Sequence, residues 1–312
     1  MCSSSIRKKV RVGLALSGGG GRGLAQVGVL KVLERSGIPI DVIAGTSIGA
    51  VIGGVYACWP DAIELEKRVL AFVRSRYIEN LNLATIRRLG GIPTVGEDAQ
   101  NATGPGLFDR IQTAFRGLYA SHLGLSRRSV LGGKGVQRAL RMVFNSRTFE
   151  ETDVPFGAVA VDLREGCEVI IGSGDLARGV AASAAIPGIF PPVEMNGRLL
   201  CDGGYTSPVP IDAVTTLGAN VVIAVDVSQR GIAVSELGNG VEIAMRSSEI
   251  SLIALEQEQL RRADSVISAR GQNRHWSDFS QPEEAIHAGE VACEQMLDSI
   301  RGVIDERSRL FL

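Results

Sequence analysis

Asp41-Val42-Ile43-Ala44-Gly45-Thr46-Ser47-Ile48-Gly49 decides the reading of this chain. A short apolar strand runs into a Gly-x-Ser-x-Gly pentapeptide, and the residues that follow, Ala50 to Ala57, form a small-residue apolar run of helical character. Strand, sharp turn and helix together are the setting in which such a pentapeptide presents its serine. The serine occupies a strained turn, and the glycines Gly45 and Gly49 keep the two arms from clashing. The same rhythm precedes it. Val12 to Ser17 is an apolar run ended by glycines, a buried strand by length and flanks. Leu24 to Arg35 then reads as a helix: Leu24, Val27, Leu30 and Leu33 are apolar, Lys31, Glu34 and Arg35 are charged, and Gly37 and Pro39 punctuate its end. Strand–helix–strand–helix order with brief connections predicts an α/β fold, a mostly parallel central sheet with helices on both faces.

Further along, the regularity fades from Lys67 to about Arg128. This stretch holds ten basic residues against four acidic ones (Glu79, Glu97, Asp98 and Asp109), a net charge of +6. The pattern resumes with a helix near Gly135 to Phe144 and strands at Phe156–Leu163, Cys167–Ile171 and Asn220–Asp226. The last part reads as helical over Val241–Ala263 and Glu283–Ile304, with a strand-like Ser265–Ala269 between them. No repeat or low-complexity linker interrupts it. Residues 1–312 therefore read as a single domain, with a core from about 10 to 304 and a basic insertion at about 67–128.

Composition narrows the class. Hydrophobic residues at 45% supply a large core, and charged residues at 21% with a net charge of −1 exclude a strongly acidic or basic disordered chain. That balance gives no reason to expect nucleic acid as a partner. Five cysteines (Cys2, Cys58, Cys167, Cys201 and Cys293) are scattered and odd in number, without a Cys-x-x-Cys pair. They suggest neither a disulfide framework nor a zinc site and fit a reducing compartment. No signal-peptide pattern and no run of roughly 18 apolar residues is present, so the expectation is a cytoplasmic protein.

Three motifs carry chemistry. Gly18-Gly19-Gly20-Gly21-Arg22-Gly23 lies where a strand turns into a helix. Its glycines let backbone N–H groups approach an anionic atom, and the helix N-terminus behind adds positive dipole. The same pattern suits a dinucleotide pyrophosphate, so a Rossmann-type nucleotide binder is one alternative. Ser47 is the second motif. A serine nucleophile ordinarily takes histidine as its base, yet none of His122, His275 and His287 lies in a glycine-marked loop after a strand. Cys201-Asp202-Gly203-Gly204 is the third: the paired glycines allow a sharp exit and a close approach to another loop, although Asp-Gly is also a common hairpin turn.

Together, Gly18 to Gly23, Gly45 to Gly49 and Asp202-Gly203-Gly204 resemble, in order and setting, the patatin-like phospholipases. Ala182-Ser183-Ala184-Ala185-Ile186-Pro187-Gly188-Ile189-Phe190-Pro191-Pro192-Val193 is similar to the family segment that leads into the aspartate strand. The likeness covers residues 11–60 and 132–228 closely, 240–304 loosely and 67–128 poorly, and looks most like the bacterial branch related to the neuropathy-target-esterase catalytic domain. Two departures stand out: Ser207 replaces an Asn common after the Asp-Gly-Gly, and Ala181 an Arg before the Ala-Ser. Neither touches the reacting residues.

The resemblance implies a serine acyl hydrolase cleaving carboxylic esters of phospholipids or lysophospholipids without metal or cofactor. Ser47 would be the nucleophile and Asp202 its base, with oxyanion donors in the turn Gly18, Gly19, Gly20, Gly21, Arg22 and Gly23. A membrane-associated scaffold without catalysis is a further alternative. The basic stretch from Lys67 to Arg128, with Phe72, Tyr77, Phe108, Phe115 and Tyr119 interleaved, suggests a cover that meets anionic lipid surfaces peripherally, against the plainer reading of a solvated insertion.

Overall fold

Val12–Leu16 carries no polar side chain and is wholly buried, as a strand covered on both faces requires. It forms β1 in a computed structural model of the chain, which describes residues 9–75, 129, 133–228, 240–270 and 276–311. A 3-10 turn (Gly20–Leu24) leads to α1 (Ala25–Arg35), β2 (Val42–Thr46), α2 (Ile48–Cys58) and α3 (Ala62–Val73). Next come α4 (Gly133–Phe144), β3 (Phe156–Asp162), β4 (Cys167–Ile171) and α5 (Leu176–Ser183). The hairpin β5 (Val193–Met195) and β6 (Arg198–Asp202) precedes α6 (Ile211–Thr216) and β7 (Val221–Asp226). The chain closes with α7 (Gly240–Leu260), β8 (Ser265–Ser268), α8 (Pro282–Glu294) and α9 (Leu297–Arg309).

The strands form one sheet in the order β5-β6-β3-β2-β1-β7-β8, with β4 along the other edge of β3. The ladders β3–β2, β2–β1, β1–β7 and β7–β8 are parallel; β4 and β6 run antiparallel to β3, and β5 antiparallel to β6. The mostly parallel α/β expectation holds. Asn196 and Gly197 explain the hairpin, since both take positive φ, 51° and 76°, as a two-residue Asn-Gly turn demands.

Alternation along the strands sorts side chains between two cores. Leu14, Leu16, Ile43, Ile223 and Val225 face the larger one, which α1, α2 and α8 cover. Ala15, Ala44 and Ala224 are register partners across β1, β2 and β7 and face the smaller one, beneath α6. Three alanines in one row let that short helix sit close to the sheet.

Two expectations need correction. Regularity does not fade at Lys67: α3 continues to Val73, and Phe72 is 6% exposed in the larger core rather than turned to a lipid surface. Helical spacing decides this, because Leu65, Val69 and Phe72 share one buried face. The remainder of the basic stretch, residues 76–128, lies outside the described residues. The helix expected over Glu283–Ile304 is two helices, broken at Gln295–Met296, so that Cys293 and Ile300 both reach the core. Among the described residues no helix is long and apolar enough to cross a membrane.

Phe72→Ala should lower unfolding free energy by about 3–5 kcal/mol, the usual cost of emptying a buried phenylalanine site. Urea denaturation measures it, and a loss below about 1 kcal/mol would return Phe72 to the surface.

Candidate active site

Ser47 is the single residue between β2 and α2, with φ 56° and ψ −121°. A non-glycine residue held in so sparsely populated a region costs about 1–3 kcal/mol and persists only where its surroundings enforce it. Here they do. A Cβ on Gly45 would run into the Gly49 carbonyl, and one on Gly49 into the Leu16 carbonyl, so only glycines let strand and helix approach this closely. The Ser47 amide donates to Ser183 Oγ at 3.0 Å, and that hydroxyl donates on to the Val159 carbonyl at 2.6 Å. Thr46 Oγ1 donates to the Ser207 carbonyl at 2.7 Å, anchoring the residue just before the turn.

Asp202 reaches Ser47 through the register of β3. β2 and β6 lie along the same edge of that strand, with Thr46 opposite Val159 and Asp202 opposite Ala160, the next residue. The Asp202 carboxyl stands near enough to the Ser47 hydroxyl for that group to pull its pKa down. Asp202 Oδ1 also accepts the Gly204 amide at 2.8 Å, and a Cβ on Gly203 would strike the Val159 carbonyl. The carboxyl is 5% exposed. Burial pushes its pKa up to about 6, against the opposing pull of the Gly204 N–H and the Ser47 hydroxyl.

The glycine-rich turn completes the site. Gly18 lies against the nucleophile candidate, since a Cβ there would stand 3.5 Å from Ser47 Cβ, while Gly23 packs on the Ile48 side chain. Two of the amides are already committed. Gly18 N–H donates to the Pro208 carbonyl at 3.0 Å and Gly21 N–H to the Trp276 carbonyl at 2.6 Å. Gly19 and Gly20 have φ 156° and 58°, and among the described residues their N–H groups meet no protein acceptor. Arg22 braces the turn, its Nε donating to the Gly19 carbonyl at 3.4 Å. Because a peptide is planar and trans, that bond turns the Gly20 N–H the opposite way. Burial lowers the Arg22 pKa, opposed by the charges of Glu256, Glu249 and Asp226. Gln26 Nε2 donates to the Ser17 carbonyl at 2.7 Å and fixes the start of the turn.

Of the three histidines, His287 alone falls among the described residues. It is exposed on α8, with Nδ1 3.9 Å from a Glu290 oxygen. His122 and His275 lie outside them. Several residues that shape the site escaped the sequence reading: Ser183, which holds the Ser47 amide, and Pro208 and Trp276, which act through backbone carbonyls. A lone hydroxyl inside the otherwise apolar Val180–Ala185 run was the one signal that pointed to Ser183.

Residues 14–215 match the sequence model of the patatin-like phospholipase family, and the chain belongs to that family. It is 32% identical over 216 residues to lysophospholipase NTE1 of Kluyveromyces lactis, covering 69% of this chain and 12% of that protein. It is likewise 32% identical over 221 residues to patatin-like phospholipase domain-containing protein 7 of Rattus norvegicus, covering 70% and 14%. The match therefore spans only a small part of those relatives' length. Among solved structures, VipD from Legionella pneumophila aligns over 94% of this chain and 67% of its own, at 14% identity and a TM-score of 0.46.

Two substitutions test the geometry without reference to activity. Ser183→Ala strips partners from the part-buried Ser47 amide and the buried Val159 carbonyl, and should cost about 1–3 kcal/mol; an unchanged melting temperature would argue against the bridge. A carboxyl whose pKa is raised on folding from 3.8 to about 6 favours the folded state below 3.8, and that contribution is lost as pH rises through 6. Asp202→Asn should therefore stabilise the protein at pH 8, on the order of 3 kcal/mol, and have little effect near pH 4. Equal shifts at both pH values would show that the carboxyl is not desolvated.

Proposed function

We propose that the chain is a serine acyl hydrolase acting on lipid carboxylic esters through Ser47 and Asp202. The observation that carries this reading is the juxtaposition, through adjacent register positions of β3, of a serine held on a strained strand–helix turn and a buried carboxyl whose pKa is lifted to about 6. A general base works best with a pKa near the operating pH, and an ordinary aspartate at about 3.9 is too weak. Burial raises Asp202 toward that range, so no histidine is needed.

In the proposed reaction Ser47 Oγ attacks the ester carbonyl carbon while Asp202 takes the hydroxyl proton. The carbonyl oxygen becomes an oxyanion, held by the Gly19 and Gly20 N–H groups. Collapse breaks the bond to the alcohol oxygen, which leaves with the proton from Asp202. Water then attacks the acyl-serine, giving its proton to Asp202; the second collapse releases the fatty acid and returns that proton to Ser47. One oxyanion donor typically contributes about 10²–10³ in turnover.

The names of the relatives support a substrate class. A lysophospholipase and a patatin-like phospholipase domain-containing protein each share 32% identity with this chain, so we place it beside the neuropathy-target-esterase branch and favour a lysophospholipid ester. The nucleotide-binding alternative fares worse, because two of the turn amides that a pyrophosphate would use are taken by Pro208 and Trp276. Peripheral contact with a membrane surface would rest on the basic residues between 76 and 128.

Hydrolysis of a p-nitrophenyl short-chain ester and of lysophosphatidylcholine by the purified protein tests the reading. Ser47→Ala and Asp202→Asn should each lower kcat by about 10³-fold or more, and the double variant should be no worse than the poorer single, because the two act as a unit. The rate of the unaltered enzyme should fall as pH drops through about 6, where Asp202 takes up its proton. Retention of more than a tenth of the activity by Ser47→Ala would falsify the assignment, and a chain inactive on both esters would point to a non-catalytic scaffold.

A further inference from the structure

The family match ends at residue 215, yet the glycine-rich turn is clamped by backbone well beyond it. The Trp276 carbonyl accepts the Gly21 N–H at 2.6 Å. That same carbonyl stands where a Cβ on Gly20 would go, and the Asp278 carbonyl where a Cβ on Gly21 would go. Two glycines of the turn are thus required by a passing segment of the same chain, independently of any ligand. The segment is itself anchored: Phe279 packs partly buried against the larger core, and Pro282 then opens α8. α8 lies along α1 and against the 3-10 turn. The two helices cross where neither has a side chain, since a Cβ on Gly28 would run into the Ile286 carbonyl and one on Gly289 into the Ala25 carbonyl. Lys31 Nζ adds an ion pair to Glu290 at 2.6 Å across the same junction.

The turn, α1, the glycine crossing, α8 and the Trp276–Phe279 segment therefore form a closed frame. We propose that Trp276–Phe279 is a positioning segment for the oxyanion donors. By taking the Gly21 N–H it fixes the plane of the Gly20–Gly21 peptide. Arg22 fixes the preceding peptide through the Gly19 carbonyl, and together the two restraints hold the peptide that carries the Gly20 N–H, leaving that donor to the substrate oxygen beside the Gly19 N–H. The Gly28–Gly289 crossing sets how closely the segment approaches. This inference rests on the hydrolase reading given above.

Gly289→Ala pushes α8 away from α1 without touching Ser47, Asp202 or the turn. The measurements are melting temperature, kcat and KM for the p-nitrophenyl ester, and inhibition by an alkyl trifluoromethyl ketone. The ketone's adduct with Ser47 places an oxyanion on the same donors. The expected result is a folded protein with kcat lowered about 10–100-fold, KM within twofold, and the ketone weakened by the same factor as kcat. Loss of stability with kcat and ketone inhibition both within twofold of the unaltered protein would overturn the positioning role. If Gly289→Ala does not fold, Phe279→Ala loosens the segment from its other end and is read by the same measurements and the same criterion. An unaltered protein without Ser47-dependent hydrolysis would sink the hydrolase reading itself. Unchanged variants of an active protein would overturn the positioning segment alone.

Discussion

Two consecutive residues of β3, Val159 and Ala160, hold the site together. Val159 pairs with Thr46, the last residue before the strained serine, and Ala160 pairs with Asp202. The Val159 carbonyl also takes the Ser183 hydroxyl that supports the Ser47 amide, and it lies so near Gly203 that no side chain fits between them. A one-residue slip of β6 would carry Asp202 to the opposite face of the sheet. Everything else about the candidate pair follows from this register.

The arrangement works against stability in two places. Ser47 sits in a region of backbone space that costs about 1–3 kcal/mol, and Asp202 is desolvated until its pKa reaches about 6. Both are tolerable because the surrounding strands are wholly buried and close-packed, from Val12 to Leu16 and from Phe156 to Asp162. Strain and desolvation at one locus, inside an otherwise regular sheet, are what a site selected for chemistry rather than for stability looks like. The glycines divide the labour. Gly45 and Gly49 let strand and helix touch, Gly20 and Gly21 let a distant segment pass, and Gly28 and Gly289 let two helices cross.

Much of this was legible in the sequence, for local reasons. Apolar runs ended by glycine marked β1 and β2 because buried parallel strands carry no polar alternation. Ser47 was visible because the elbow is a contiguous strand–turn–helix pattern. Asp202 was visible only as a motif, since nothing local tells which edge of β3 its strand will join. The Trp276 clamp was invisible. It acts through a main-chain carbonyl, and main-chain partners leave no trace in residue identity beyond the glycines that accommodate them. Phe72 differs for the opposite reason: the charges of Lys67, Arg68 and Arg74 mask the three-and-four spacing of Leu65, Val69 and Phe72 that buries it.

The antiparallel rung between β6 and β3 also has a bearing on when the molecule can act. The strands and helix that frame Ser47 (β1, β2, α2 and β3) and the Ser183 that takes its amide all precede Asp202 in the chain, whereas the Ser207 carbonyl that anchors Thr46 follows it. The carboxylate is delivered by a long-range closure whose entropy must be met before the contact is rewarded. On the proposed reading, a chain synthesised from its N-terminus holds its nucleophile long before it holds its base. Reactivity would then wait until β6 has closed onto β3 and would be absent from every shorter stage of synthesis.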